Sequence, residues 1–254
     1  MQGSALRVWI VLMGLAMLGL GSLAIAASLP AKAQDRASAP SEVEEPLQVQ
    51  NLVHAKRRAK AATAVAPGSI GVRDPQGYEP DPGIVQWYAE RGASLPINEH
   101  PIYCHGYGCE FQTPIPISDA DFAELQKIFA AHSGSAVEER KAISQSVQWW
   151  ERHASPLLGG PPRVRGDTQP HRPGQTDCLD EATNSTTILF YLERHKFLKY
   201  HKVERPEARG MFLFSHATAL IQEIGGQAWA VDMWMYDMGD PPDMPTYAEW
   251  SSHW

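Results

Sequence analysis

Gly174-Gln175-Thr176-Asp177-Cys178-Leu179-Asp180-Glu181-Ala182 stands where a long stretch dense in Pro, Gly and Arg, from Pro156 to Gly174, gives way to an apolar run. The run reads as a helix from about Cys178 to Arg194, so Cys178 sits at a helix start. A long ordered loop leading into a helix often belongs to a site. Upstream, Ser118-Asp119-Ala120-Asp121 is a capping box opening a helix with Phe122, Leu125, Ile128 and Phe129 at helical spacing. Ser135 and Glu138 repeat the device before Ile143, Val147 and Trp150. Downstream come β-like segments around Lys199–Glu204, Met211–Phe214, His216–Glu223 and Ala228–Trp234, then a Pro-rich tail. Helices first and antiparallel strands after predict an α+β fold.

Cys178 acquires two partners from the strands. His216 opens one segment and Asp232 lies in the next, with Gly225-Gly226 near the turn between them. A thiol at a helix start, an imidazole as base and a carboxylate orienting the imidazole form a triad by role. Side chains alternate along a strand, so pairing decides whether the triad closes. For His216 to stand opposite Asp232 the turn must centre near Ile224, which demands an odd-length loop or a bulge between Glu223 and Gln227. A two-residue turn at Gly225-Gly226 would put the pair on opposite faces. The helix start and a protonated His216 are expected to lower the thiol below the roughly 8.5 of a free cysteine, with Asp177 and Asp180 opposing. Gln175 is placed to donate a further hydrogen bond to an oxyanion, beside backbone N–H groups of the helix start.

The chain has three cysteines. Cys104 and Cys109 flank His105-Gly106-Tyr107-Gly108, a Gly-rich turn in which two thiols approach the distance a disulfide needs. A disulfide there leaves Cys178 free; a metal site of Cys104, His105 and Cys109 is the alternative.

The segment around Cys178 resembles the nucleophile segment of bacterial transglutaminase-like cysteine proteinases, which reads Asp-Cys-x-Asp-x-Ala on a helix. His216-Ala217 and Val231-Asp232 resemble that superfamily's other two boxes. The match runs over roughly Gly174 to Trp234, about a quarter of the chain. The resemblance implies a papain-like, transglutaminase-like α+β fold with the nucleophile helix packed on an antiparallel sheet. It implies Cys178 as nucleophile, His216 as base and Asp232 as orienter. Some members bind calcium through acids flanking the cysteine. Asp177 and Asp180 match those acids, while Leu179 stands where another acid often sits; no other cofactor is implied.

The N-terminus reads as an export signal. Arg7 precedes an apolar run from Val8 to Ala27, followed by Ala31-Lys32-Ala33 before Gln34. Residues 1–33 are expected to be a signal peptide, or residues 8–27 an inner-membrane anchor facing the periplasm. Residues 34–96 read as a disordered linker and 97–254 as the hydrolase domain. With 22 Lys+Arg against 29 Asp+Glu, the net charge of −7 argues against a phosphate-neutralising nucleic-acid binder. The expected partner is a protein or peptide substrate in the cell envelope, and membrane contact is expected only through the N-terminal segment. An amide passed to water makes a peptidase; passed to a lysine amine, a cross-linking enzyme. The rival is a non-catalytic envelope binding protein, for which the acidic tail Asp237–Asp243 and Trp229, Trp234, Trp250 and Trp254 offer a recognition surface.

Overall fold

A computed structural model describes residues 77–97, 100–166, 169–210 and 215–252. The expected signal segment, most of the linker and the strand expected at Met211–Phe214 lie outside them. Among the described residues no helix is long and apolar enough to cross a membrane. The elements follow in the order α1 (Pro82–Glu90), β1 (Ile102–His105), β2 (Phe111–Pro114), α2 (Asp119–Ala131), α3 (Ala136–Ala154), α4 (Cys178–Arg194), β3 (His201–Arg209), β4 (His216–Glu223), β5 (Ala228–Val231) and α5 (Tyr247–Ser252). β3, β4 and β5 make an antiparallel sheet in that order, and β1 and β2 a separate hairpin. The class is α+β.

Helix α4 is the axis. From Asp180 through Leu192 every residue is buried, polar ones included. A helix buried all round must satisfy its hydroxyls and amides internally. Thr186 and Thr187 donate to the carbonyls four residues back, at 2.7 and 2.9 Å. Asn184 grips β1 on both sides: its Oδ1 accepts the Cys104 N–H at 2.6 Å and its Nδ2 donates to the Cys104 carbonyl at 2.8 Å.

The linker expectation fails at its C-terminal end. Asp81 caps α1, Pro82 sits at its first position, and Ile84, Trp87 and Tyr88 are fully buried. Trp87 Nε1 donates to Thr183 Oγ1 at 3.0 Å, and the Tyr88 hydroxyl pairs with Thr187 Oγ1 at 2.7 Å. The folded part therefore extends upstream of residue 97, to Tyr78 at least, whose hydroxyl donates to Glu193. With only nine residues, α1 is too short to show a clear period, and the helix is made by what it covers.

The capping box of α2 is present as read, with Ser118 and Asp121 bonding reciprocally. At α3 only half of the device forms: Ser135 accepts from the Glu138 N–H, while the Glu138 carboxylate turns to Lys141 and His132. Buried Glu139 of α3 starts the sheet, accepting N–H donors from Lys199, Tyr200 and His201 at 2.7, 3.0 and 2.9 Å. β3 runs to Arg209, beyond the expected Glu204, through a bulge between Glu204 and Glu207 that accommodates Pro206 in an outer strand. β5 stops at Val231 instead of Trp234, and the tail folds into α5.

Candidate active site

Asp177 is the N-cap of α4 and Asp180 its reciprocal partner, which leaves Cys178 as the first helical residue. Its side chain is partly buried against the core. Cys104 and Cys109 are joined in a disulfide with Cα atoms 4.5 Å apart, so Cys178 is the free thiol.

His216 and Asp232 meet. Glu223 N–H donates to the Gln227 carbonyl at 3.1 Å, closing a three-residue loop in which Gly225 takes φ +76°. The odd-length loop is the expected one, but the pairing is offset. Ala219 stands opposite Val231, so Asp232 falls beside Thr218, and His216 is its diagonal neighbour on the same face. The diagonal is short enough: His216 Nε2 lies 2.6 Å from Asp232 Oδ2. As a carboxylate Asp232 can only accept, so Nε2 donates in this bond, and in the neutral ring the lone pair lies on Nδ1. The bonded pair is held in turn. Trp250 Nε1 donates to the same Oδ2 at 2.8 Å, the Trp234 N–H donates to Oδ1 at 3.2 Å, and the Asp232 and Asp243 backbones bond each other at 2.9 Å in both directions.

The rival reading offers Trp250 as part of a recognition surface. It is 3 % exposed, with its ring 5.8 Å from that of His216 and the Arg209 guanidinium 4.4 Å above it. Its place beside His216 and Asp232 carries no sequence signal, since it sits in a tail without strong period. Trp229 is covered by Arg140 and Trp254 lies outside the described residues. Trp234 does face a cavity of about 550 Å³, shared with His216, Asp232, Met235, Tyr236 and Trp250.

Gln175 is buried, but its Nε2 donates to the Pro161 carbonyl at 3.0 Å, away from an oxyanion role. It fastens the long loop instead, which is pinched where Gly174, at φ +81°, passes the Pro161 carbonyl too closely for any side chain. The loop also brings in Arg163. Its guanidinium, 1 % exposed, lies 2.8 Å from Glu181 and 3.7 Å from Glu151 and donates to the Tyr236 carbonyl. Burial, and after it the charge of Glu181, raise the Glu151 carboxyl well above the usual range.

The expected low thiol pKa is overturned. Burial pushes the Cys178 thiol from its usual 9.0 up to about 11; the Ala217 backbone N–H acts against this, and the charges of Asp177 and Asp232 add to it. A helix start lowers a thiol only where the sulfur is hydrated enough to ionise, and here desolvation wins. Between pH 9.0 and about 11 the unfolded chain gives up this proton while the folded chain keeps it. Stability is therefore expected to fall through that window, by on the order of 2 kcal/mol. Urea titrations of the native protein and Cys178→Ser across that range check it; equal slopes would remove the effect.

Asp177 and Asp180, the acids that match the calcium-binding pair, are engaged by backbone donors. All four carboxylate oxygens accept backbone N–H groups, Asp177 from Asp180 at 2.8 Å and Gly108 at 3.1 Å, Asp180 from Tyr107 at 2.8 Å and from Cys109. Among the described residues no group of three or more His, Cys, Asp or Glu side chains is arranged to hold a metal.

No family model, no curated protein and no solved structure matches the chain.

Proposed function

We propose that the protein is an exported thiol hydrolase or acyl transferase acting on an amide of a protein or peptide in the cell envelope, with a papain-like arrangement of Cys178, His216 and Asp232. The observation that carries the reading is the 2.6 Å bond from His216 Nε2 to Asp232, on the strand whose next residue, Ala217, directs its N–H at the Cys178 thiol. With the thiol protonated, the scheme depends on a general base and not on a preformed thiolate. His216 Nδ1 takes the thiol proton as sulfur attacks the amide carbon, then delivers it to the leaving amine. The resulting thioester passes to water or to an amine. The cavity lined by Trp234, Met235, Tyr236 and Trp250 offers the substrate an apolar wall beside the base. Export rests on the N-terminal segment and agrees with the Cys104–Cys109 disulfide.

The raised thiol pKa favours a second reading, a non-catalytic envelope binding protein that keeps the fold. Iodoacetamide labelling of the intact protein across pH, followed by peptide mapping, separates the two. The catalytic reading expects alkylation confined to Cys178, rising toward pH 11, with a component near neutral pH that His216→Ala slows by about tenfold or more. A Cys178 that labels no faster with His216 than without it at neutral pH belongs to a binding protein.

A further inference from the structure

The turn closed by the disulfide is built against the usual hand of the backbone. Gly106, Tyr107, Gly108 and Cys109 all have positive φ, at 87, 75, 63 and 61°. Two of them are not glycine, a conformation that costs on the order of 1–2 kcal/mol for each ordinary residue. Successive N–H groups of a tight turn can line a concavity that holds an anion. Here the anions are internal. The N–H groups of Tyr107 and Cys109 converge on Asp180 and that of Gly108 on Asp177. Both acids belong to the capping box that begins α4, and Asn184 holds the Cys104 backbone one helical turn further on.

From this geometry we infer that the Cys104–Cys109 turn is a built-in anion nest that takes the place of a cation at the start of α4, with Asp177 and Asp180 as positioning residues for Cys178. The carboxylates stand on either side of the thiol-bearing residue in sequence. Burial, and after it the charge of Asp177, push the Asp180 carboxyl well above its usual range, and the backbone donors act against this in the sense that a metal ion would. The disulfide keeps the turn in its left-handed form, and the hairpin β1–β2 carries that rigidity to α4. The inference rests on Cys178 as the nucleophile proposed above.

Amide hydrogen exchange of the full protein, stripped of metal with EGTA, tests the nest without any substitution. Tyr107, Gly108 and Cys109 are expected to exchange at least about a hundredfold more slowly than free amides, and added calcium is expected to change nothing. Fast exchange in the stripped protein, or slowing on addition of calcium, would overturn the nest. A mutant cycle then tests positioning. The factor by which His216→Ala slows Cys178 alkylation in the native background is expected to collapse toward one in Cys104→Ser/Cys109→Ser. An equal factor in both backgrounds, with helix content retained, would show that the turn does not place the thiol. Where the double variant does not fold, exchange in the native chain decides. Failure of the catalytic reading looks different: slow exchange at the three amides, together with native alkylation indifferent to His216.

Discussion

Asp232→Asn is expected to slow cleavage of any peptide anilide the native protein turns over by about 10²–10⁴-fold, with the fold intact. The size follows from the number of donors Asp232 satisfies. Its Oδ2 accepts from both His216 Nε2 and Trp250 Nε1, and its Oδ1 from the Trp234 N–H. Asparagine offers one acceptor and one donor. With its oxygen toward His216 and Trp250, its NH₂ meets the Trp234 N–H. Turned the other way, the NH₂ faces two donors and forces the imidazole into the tautomer whose Nδ1 carries a proton and cannot take one from the thiol. Screening a mixed anilide library with both forms, beside thermal unfolding, measures the outcome. A variant within about threefold of native activity would remove Asp232 from the mechanism.

The second large effect is on stability. Arg163→Met is expected to lower the unfolding free energy by about 3–5 kcal/mol above a pH of about 8, because it leaves Glu151 and Glu181 buried together without their cation. The loss is expected to shrink as pH falls through about 8, the value to which burial and the charge of Glu181 push the Glu151 carboxyl, because a protonated Glu151 no longer needs the cation. Adding Glu151→Gln to the Arg163 variant is expected to recover part of the loss. Urea titrations at two pH values decide the matter, and a pH-independent loss under about 1 kcal/mol would show that Arg163 is not a keystone. Arg163 also donates to the Tyr236 carbonyl, and its own carbonyl accepts the Met238 N–H. The variant is thus expected to loosen the segment that lines the cavity.

What the sequence makes legible here is local. The bounds of α4 and β4 follow from an N-cap acid ahead of an apolar run and from a short apolar segment before two glycines. The shared face of His216 and Asp232 follows from strand parity and an odd loop, since an offset of two residues leaves the face unchanged. The Cys104–Cys109 pair follows from spacing in a glycine-rich turn. What stays hidden depends on distant chain. α1 shows no period because α4 decides its burial. Trp250 and Arg163 reach the site from a tail and a loop, whose compositions suggest no partner. The thiol pKa departs from the expectation because a helix start is visible in sequence and desolvation is not.

The disulfide turn also sets a timetable. A link of this kind closes where thiols are oxidised, and stays open among the reductants of the cytosol. On the reading proposed above, a newly made chain on the inner side of the membrane holds Cys104 and Cys109 as thiols. On the inference drawn from the turn, its left-handed form is then unsecured and the backbone cradle of the two acids at the head of α4 is loosened. The thiol centre then reaches its working shape only after export. Maturation of the chain and protection of the cell's own proteins from it become the same chemical event.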